Sequence, residues 1–211
     1  MGSKERRERE KDMRRREIQK AASQVFMLKG YNSATMEDIA TRAELTPGAI
    51  YTYFKSKEEL FASLLKIPLM SLYENIKKSY DRNDLSVQEK MLGFKDAMYQ
   101  TFLCDQLLLR NIFHFQVEDS LSTTSPEILA ESNDISRKLL NMMADVYQEG
   151  VSKGIFIEGN EIAAADMLWG LFTGLVMWED AKRKIDPRKD HLKSTFDSAF
   201  EVVVRGFTKR P

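Results

Sequence analysis

Apolar residues recur along this chain at three- and four-residue intervals, the spacing of helices rather than strands. Ile18, Ala21, Ala22, Val25 and Phe26 form the first stripe. Gly30 predicts its end, because glycine accepts the left-handed conformation of a helix C-cap. Thr35 reads as an N-cap, followed by Met36, Ile39, Ala40 and Ala43 on one face of a short helix. Glu37 and Asp38 fall in its first turn, where the helix dipole favours negative charge. Thr46 is a second cap, preceding Pro47 and Gly48. Proline suits a first helical position because its missing N–H would have no partner there. In this helix Ile50 and Phe54 face inward, while Ala49, Tyr51, Thr52 and Tyr53 point elsewhere. Ser56 caps the next helix, and Glu59 three residues on completes a capping box.

That next helix begins at Lys57 and carries Leu60, Phe61, Leu64, Leu65, Leu69, Leu72, Tyr73 and Ile76, with Pro68 inside the pattern. An interior proline removes one backbone hydrogen bond and bends a helix. The bend is either a passive kink that sets an angle or a point where a signal crosses between two domains, residues 1–66 and 67–211. After a polar loop near Asp81–Ser86, Phe94, Ala97, Met98, Thr101 and Phe102 line another helix. An apolar stretch runs from Leu107 to Val117. Pro126 opens a long helix to about Lys153 with Ile135, Leu139, Met142, Met143, Val146 and Tyr147, which Gly154 ends. Two last helices cover about Glu161–Lys182, with a stripe of Ala163, Met167, Gly170, Gly174 and Met177, and about His191–Thr208, with Leu192, Phe196, Ala199, Phe200, Val203 and Phe207. Nothing reads as a strand or a repeat. The expected fold is all-α, with about nine helices.

Composition changes this picture little. The 211 residues carry a formal charge of +0, with 43% hydrophobic and 30% charged residues, the balance of an ordinary soluble globular protein. The single cysteine, Cys104, allows no internal disulfide and fits a reducing cytoplasm; its apolar neighbours predict a packed thiol. No apolar N-terminal segment suggests a signal peptide. The run Met167–Trp178 is shorter than the about 20 residues a membrane span needs. Charge is uneven, however. Through Lys66 there are 14 Lys and Arg against 10 Asp and Glu, and Lys4–Arg16 alone holds 8 basic and 4 acidic residues. This arm either contacts DNA phosphates or the minor groove, or is a solvated helix start in which Arg and Glu pair along one face.

Two short helices joined by a tight turn bury little surface alone. With the Ile18–Phe26 helix behind them, the outward face of the second is left for work, as in a helix-turn-helix whose second helix enters the DNA major groove. From Thr35 through Leu60 the residues TMEDIATRAELTPGAIYTYFKSKEEL closely resemble the DNA-binding segment of the TetR family of transcriptional regulators. The resemblance implies that Pro47, Gly48, Ala49 and Thr52 approach bases. It implies that Thr35, Thr46, Tyr51, Tyr53, Lys55 and Lys57 grip phosphates. Two positions depart from the family pattern. Glu44 stands in the turn where glycine is usual, which costs about 1 kcal/mol if φ is positive there. Thr52 replaces a common aromatic, so base preferences of relatives do not carry over.

The same resemblance implies a homodimer on a palindromic operator in double-stranded DNA, and a small hydrophobic or aromatic ligand held among the central helices. Phe94, Met98, Phe102, Phe113, Met142, Met143, Tyr147, Trp169 and Phe172 are candidate lining, with Tyr99, Asn111, His114, Gln116 and Thr173 as polar anchors; plain core packing is the competing reading. Met167, Gly170, Gly174, Phe196, Ala199, Phe200, Val203 and Phe207 are candidates for the dimer interface, unless they complete the monomer core. No nucleophile motif, phosphate loop or metal-ligand spacing occurs. No enzyme activity, cofactor or metal is therefore expected. The expected function is a ligand-responsive repressor, with a helical carrier or interaction protein lacking specific DNA binding as the alternative.

Overall fold

The computed structural model describes residues 3–104, 106, 109, 126–186, 188 and 191–210. Eight helices occur among them: α1 (Ser3–Ser33), α2 (Met36–Arg42), α3 (Pro47–Tyr51), α4 (Lys57–Tyr80), α5 (Val87–Cys104), α6 (Pro126–Ser152), α7 (Glu161–Ile185) and α8 (Leu192–Phe207). The β pairing among the described residues is one isolated antiparallel bridge, Phe156 to Thr208. The chain is all-α. The apolar stretch Leu107–Val117 lies outside the described residues apart from Leu109, and with it the candidate ligand residues Asn111, Phe113, His114 and Gln116.

The described residues fall into two compact units, and the division lies inside α4 between Ile67 and Pro68. In the first unit, the sequence-predicted stripe of α1 is the core. Ile18, Ala22, Val25 and Phe26 are buried with Ile39, Ala40, Ile50, Phe54, Leu60 and Phe61. Phe26 meets the edge of Phe61 at 5.1 Å between centroids, and Tyr31 packs on Phe61 at 4.8 Å. Gly30 has φ +75° inside α1. A Cβ there would meet nothing within 4 Å, so the backbone, not space, requires glycine. One further helical turn, through Ser33, follows this break.

The second unit holds the rest of α4 with α5, α7, α8 and α6 from Ser132 onward. Pro68 sits within α4, which continues through it to Tyr80. Gly93 of α5 lies so near α4 that a Cβ would stand 2.3 Å from the Ser79 hydroxyl. The end of α6 is built tightly. Gly154 takes φ +71°, the Ile155 and Phe156 N–H groups donate to the Gly150 carbonyl at 2.9 and 3.0 Å, and the Phe156 ring folds back where a Cβ on Gly150 would stand 2.1 Å away. Tyr147 packs on Phe156 and Phe207 at 5.8 and 4.9 Å and donates its hydroxyl to the Ile157 carbonyl.

Phe196, Phe200 and Phe207, candidates either for a dimer interface or for the monomer core, are buried within the chain itself. Phe196 packs on Phe172 and Phe200 at 5.8 and 4.9 Å, so the inward stripe of α8 completes the core. Cys104, expected to be packed, is exposed, because it lies on the solvent side of the last turn of α5.

One helix among the described residues, α7, is long and apolar enough to cross a membrane by length and composition. Its inner face is packed through Leu168, Phe172 and Val176. Its buried Glu179 is paired with Lys182 at 2.6 Å, and Asp180 with Lys184 at 3.1 Å.

Candidate nucleic-acid interface

Local chemistry sets the two short helices of the first unit. The Thr35 hydroxyl accepts from the Asp38 N–H at 3.1 Å and the Asp38 carboxylate accepts from the Thr35 N–H at 3.1 Å, a reciprocal cap. Lys29 adds an ion pair to Asp38 at 2.6 Å. The Lys29 side chain, then the Thr35 N–H, hold the Asp38 carboxyl below its ordinary range. α2 ends at a turn in which Glu44 has φ +55°, the conformation that glycine supplies without strain. The Thr46 hydroxyl then caps α3 by accepting from the Ala49 N–H at 3.2 Å. In both threonines the cap uses the oxygen as acceptor, so the hydroxyl proton remains available to an outside acceptor.

α3 is buried on one side only. Ile50 and Phe54 are fully buried; Tyr51 is 48% exposed. Gly48 and Thr52 are exposed, and Pro47, Ala49 and Tyr53 half-buried. A Cβ at Gly48 would meet nothing within 4 Å. The Thr52 hydroxyl donates to the Ala49 carbonyl at 2.7 Å. Lys55 is exposed at the exit of α3.

Lys57 is placed differently from the other candidates. Its ammonium donates to the Tyr31 and Ala34 carbonyls, both at 3.1 Å, and stands 4.5 Å from the Tyr31 ring centroid. It therefore ties the end of α1 to the start of α4. Tyr31 also donates to Glu58 at 3.0 Å. Burial raises the Glu58 carboxyl, but its own backbone N–H, Ser56 and Tyr31 together leave it lowered. The capping box at Ser56 is altered. Ser56 accepts from the Glu59 N–H at 3.1 Å, but the Glu59 carboxylate accepts from the Lys55 N–H at 2.8 Å.

One residue that the sequence reading passed over secures α3 from behind. Arg15 donates to the Tyr53 carbonyl at 2.6 Å and lies 4.2 Å from the Phe54 ring centroid. Its signal was its spacing, since Arg15 continues the Ile18–Ala22–Val25 stripe by one turn. A cation on an apolar stripe finds a carbonyl and a ring face when the stripe is buried.

In the second unit, candidate lining residues Phe94, Met98, Phe102, Met142, Met143, Tyr147 and Phe172 are buried, and Tyr99, Trp169 and Thr173 are half-buried. Ring contacts join Trp169 to Phe172 at 5.8 Å and Tyr99 to Phe102 at 6.4 Å. Tyr147 belongs to a separate cluster with Phe156 and Phe207, described above. The Thr173 hydroxyl donates within α7 to the Trp169 carbonyl at 3.1 Å. No metal-ligating cluster occurs among the described residues.

Comparison with known proteins bears on both units. The profile of the bacterial regulatory proteins of the tetR family matches residues 18–64, which is the three-helix segment just described. A fatty acid metabolism regulator protein of Bacillus subtilis is 25% identical over 188 residues, 88% of this chain and 91% of its own. The transcriptional repressor KstR2 of Mycolicibacterium smegmatis is 28% identical over 145 residues, 68% of this chain and 67% of its own. The crystal structure of FadR from Bacillus subtilis in complex with stearoyl-CoA superposes with a TM-score of 0.72 at 23% identity, covering 90% of this chain and 98% of that one. With residues 18–64 matching that profile and a regulator aligned over most of both chains, the chain belongs to the TetR family of helix-turn-helix transcriptional regulators.

Proposed function

We propose that this protein is a ligand-released repressor that binds a palindromic operator in duplex DNA as a homodimer. The observation that carries the reading is the one-sided burial of α3. Ile50 and Phe54 anchor it, while Gly48, Tyr51 and Thr52 stay uncovered, which is what a helix needs to enter a major groove. Thr35, Thr46, Tyr51, Tyr53 and Lys55 supply donors for phosphates, and the open side of Gly48 lets duplex DNA approach the backbone of α3 closely. Lys57 acts by holding the start of α4 in place. One reading helix per chain is too little for specific binding, so two copies about a duplex turn apart are required. The outer stripe of α7, with Met167, Gly170 and Gly174, offers the surface for that pairing, joined by Ala199 and Val203 of α8. Operator binding places the protein in the cytoplasm.

A Bacillus subtilis relative is crystallised with stearoyl-CoA. The buried Phe94, Met98, Phe102, Met142, Met143 and Phe172 suit an occupant of the same apolar chemistry, with Tyr99, Trp169, Thr173 and, outside the described residues, Asn111, Phe113 and His114 completing the proposed lining. A long-chain acyl thioester is the first ligand to try. Selection of binding sequences from random duplexes should recover a palindrome, and long-chain acyl-CoA should then release the protein from that site. Salt-sensitive binding without sequence preference would sink the regulator reading. Release by none of a panel of acyl-CoA and aromatic compounds would remove the ligand assignment while leaving the operator.

A further inference from the structure

The family profile begins at Ile18, yet α1 begins at Ser3. About four turns of helix, roughly 20 Å at the ordinary rise, therefore precede the matched segment. Residues 5–14 are exposed throughout, and the one large apolar side chain among them, Met13, is 62% exposed. Such a segment buries nothing that would hold it. Pairs such as Arg6–Glu10 at 2.9 Å and Arg14–Glu17 at 2.7 Å are exposed and hold it only weakly. Its base, however, is fixed: Arg15 is bonded to the Tyr53 carbonyl and stacked on Phe54. The arm thus leaves the domain beside the C-terminal end of α3.

Its charges are sorted by side. Arg7, Glu10, Lys11 and Arg14, spaced at three and four residues and hence on one helix face, line an open groove together with Thr52 and Tyr53. The opposite side, at 100° per residue, carries Glu5 and Asp12 with Arg9 and Arg16. The groove side holds three cations against one carboxylate; the far side holds two of each. A solvated helix start has no need of this sorting. Basic charge continuous with the exposed end of the reading helix matches a phosphate backbone that runs on past the reading site.

Resting on the operator-binding reading above, we infer that residues 5–14 form a second DNA-contacting element. Its Arg7, Lys11 and Arg14 face grips backbone phosphates flanking each half-site. The contact is sequence-independent and adds to affinity and to the salt dependence rather than to base choice.

The experiment compares the full-length protein with the variants Arg7→Ala/Lys11→Ala and Arg9→Ala/Arg16→Ala on the palindrome recovered by selection. Affinity is measured from 0.05 to 0.3 M KCl, with hydroxyl-radical footprints of each. Both variants lose the same net charge. Two lost phosphate contacts should lower the salt slope by about 1.8 and affinity at 0.1 M salt by roughly sixtyfold, and should erase backbone protection outside the half-sites. The opposite-face variant should keep the wild-type slope to within about half a unit and keep the flanking protection. Equal losses in both variants reduce the effect to net charge and overturn the inference, as does wild-type behaviour of Arg7→Ala/Lys11→Ala. In either case recovery of the palindrome by the unaltered protein keeps the regulator reading intact, whereas failure to select any site overturns both together. Thermal melts of the free proteins should coincide, because the arm has no buried contact to lose.

Discussion

Glu44 holds φ +55° at the turn between α2 and α3. A left-handed L-residue costs about 1–2 kcal/mol, and glycine's greater chain entropy returns roughly 0.5–1 kcal/mol of that. Glu44→Gly should therefore raise stability by about 0.5–1 kcal/mol in urea unfolding, and an unchanged midpoint would mean that the turn relaxes around the glutamate. Lys57 makes the opposite case. Its two carbonyl partners lose a charged donor in Lys57→Ala, and about 1–2 kcal/mol of stability should go with it. A matching drop in DNA affinity would then report loosened structure rather than a lost phosphate contact. Acid should weaken the same region. Asp38 and Glu58 have lowered carboxyl pKa values when folded, so each contributes stability that is present above the ordinary carboxylate range and is lost as pH falls from that range through the lowered folded value. Urea midpoints at pH 7 and pH 3.5 should differ in that direction, and Lys29→Met should shrink the difference. At this scale the caps were legible because they are local: Thr35, Thr46 and Ser56 each bond a residue three positions on. The destination of the Glu59 carboxylate was not, because Lys55 and Ser56 offer competing N–H groups only one residue apart. Nor was the role of Arg15, whose carbonyl partner lies 38 residues away.

Periodicity identified the helices of both units, yet it left open which face meets which neighbour. On α8, Phe196, Phe200, Val204 and Phe207 are buried, while Val202 is 64% exposed. The sequence offers apolar residues on both sides, and only packing against α7 separates core from surface. On α7 the stripe read from the sequence, Met167, Gly170 and Gly174, is the exposed one, and the core uses Ala164, Ala165, Leu168, Phe172 and Val176. The glycines show the difference in cost. Gly150 faces the Phe156 ring at 2.1 Å from a would-be Cβ, so Gly150→Ala should destabilise by about 1–3 kcal/mol through overpacking. Gly170 meets nothing within 4 Å. Gly170→Ala should stabilise the isolated chain by up to about 1 kcal/mol, the difference in helix propensity. In the monomer, thermal or urea unfolding of the two variants should move in opposite directions; parallel shifts in the dimer would place Gly170 in close contact across the proposed pairing surface.

At the scale of the whole molecule, a formal charge of +0 conceals a basic reading end, and an apolar surface stripe conceals an unfilled packing requirement. Met167 and Trp178 on α7 are 51% and 60% exposed, with Gly170 and Gly174 between them. Small residues flanked by large ones let two helices approach closely, and folded proteins rarely leave such a surface wet. The proposed homodimer covers it. Met167→Glu should therefore give monomers in sedimentation equilibrium without lowering the far-UV helical signal, because Met167 stands on the exposed face of α7 rather than in its core. Phe200→Ala is the needed contrast: fully buried, it should cost about 3–5 kcal/mol of stability and report core loss, not dissociation. If Met167→Glu remains dimeric while Phe200→Ala merely unfolds, pairing must use another surface, and the spacing of the two reading helices would have to be derived afresh. If Met167→Glu is monomeric and folded, its affinity for a palindrome should fall to that of a single half-site. That loss ties the α7 stripe to operator recognition although Met167 lies on a different unit from α3.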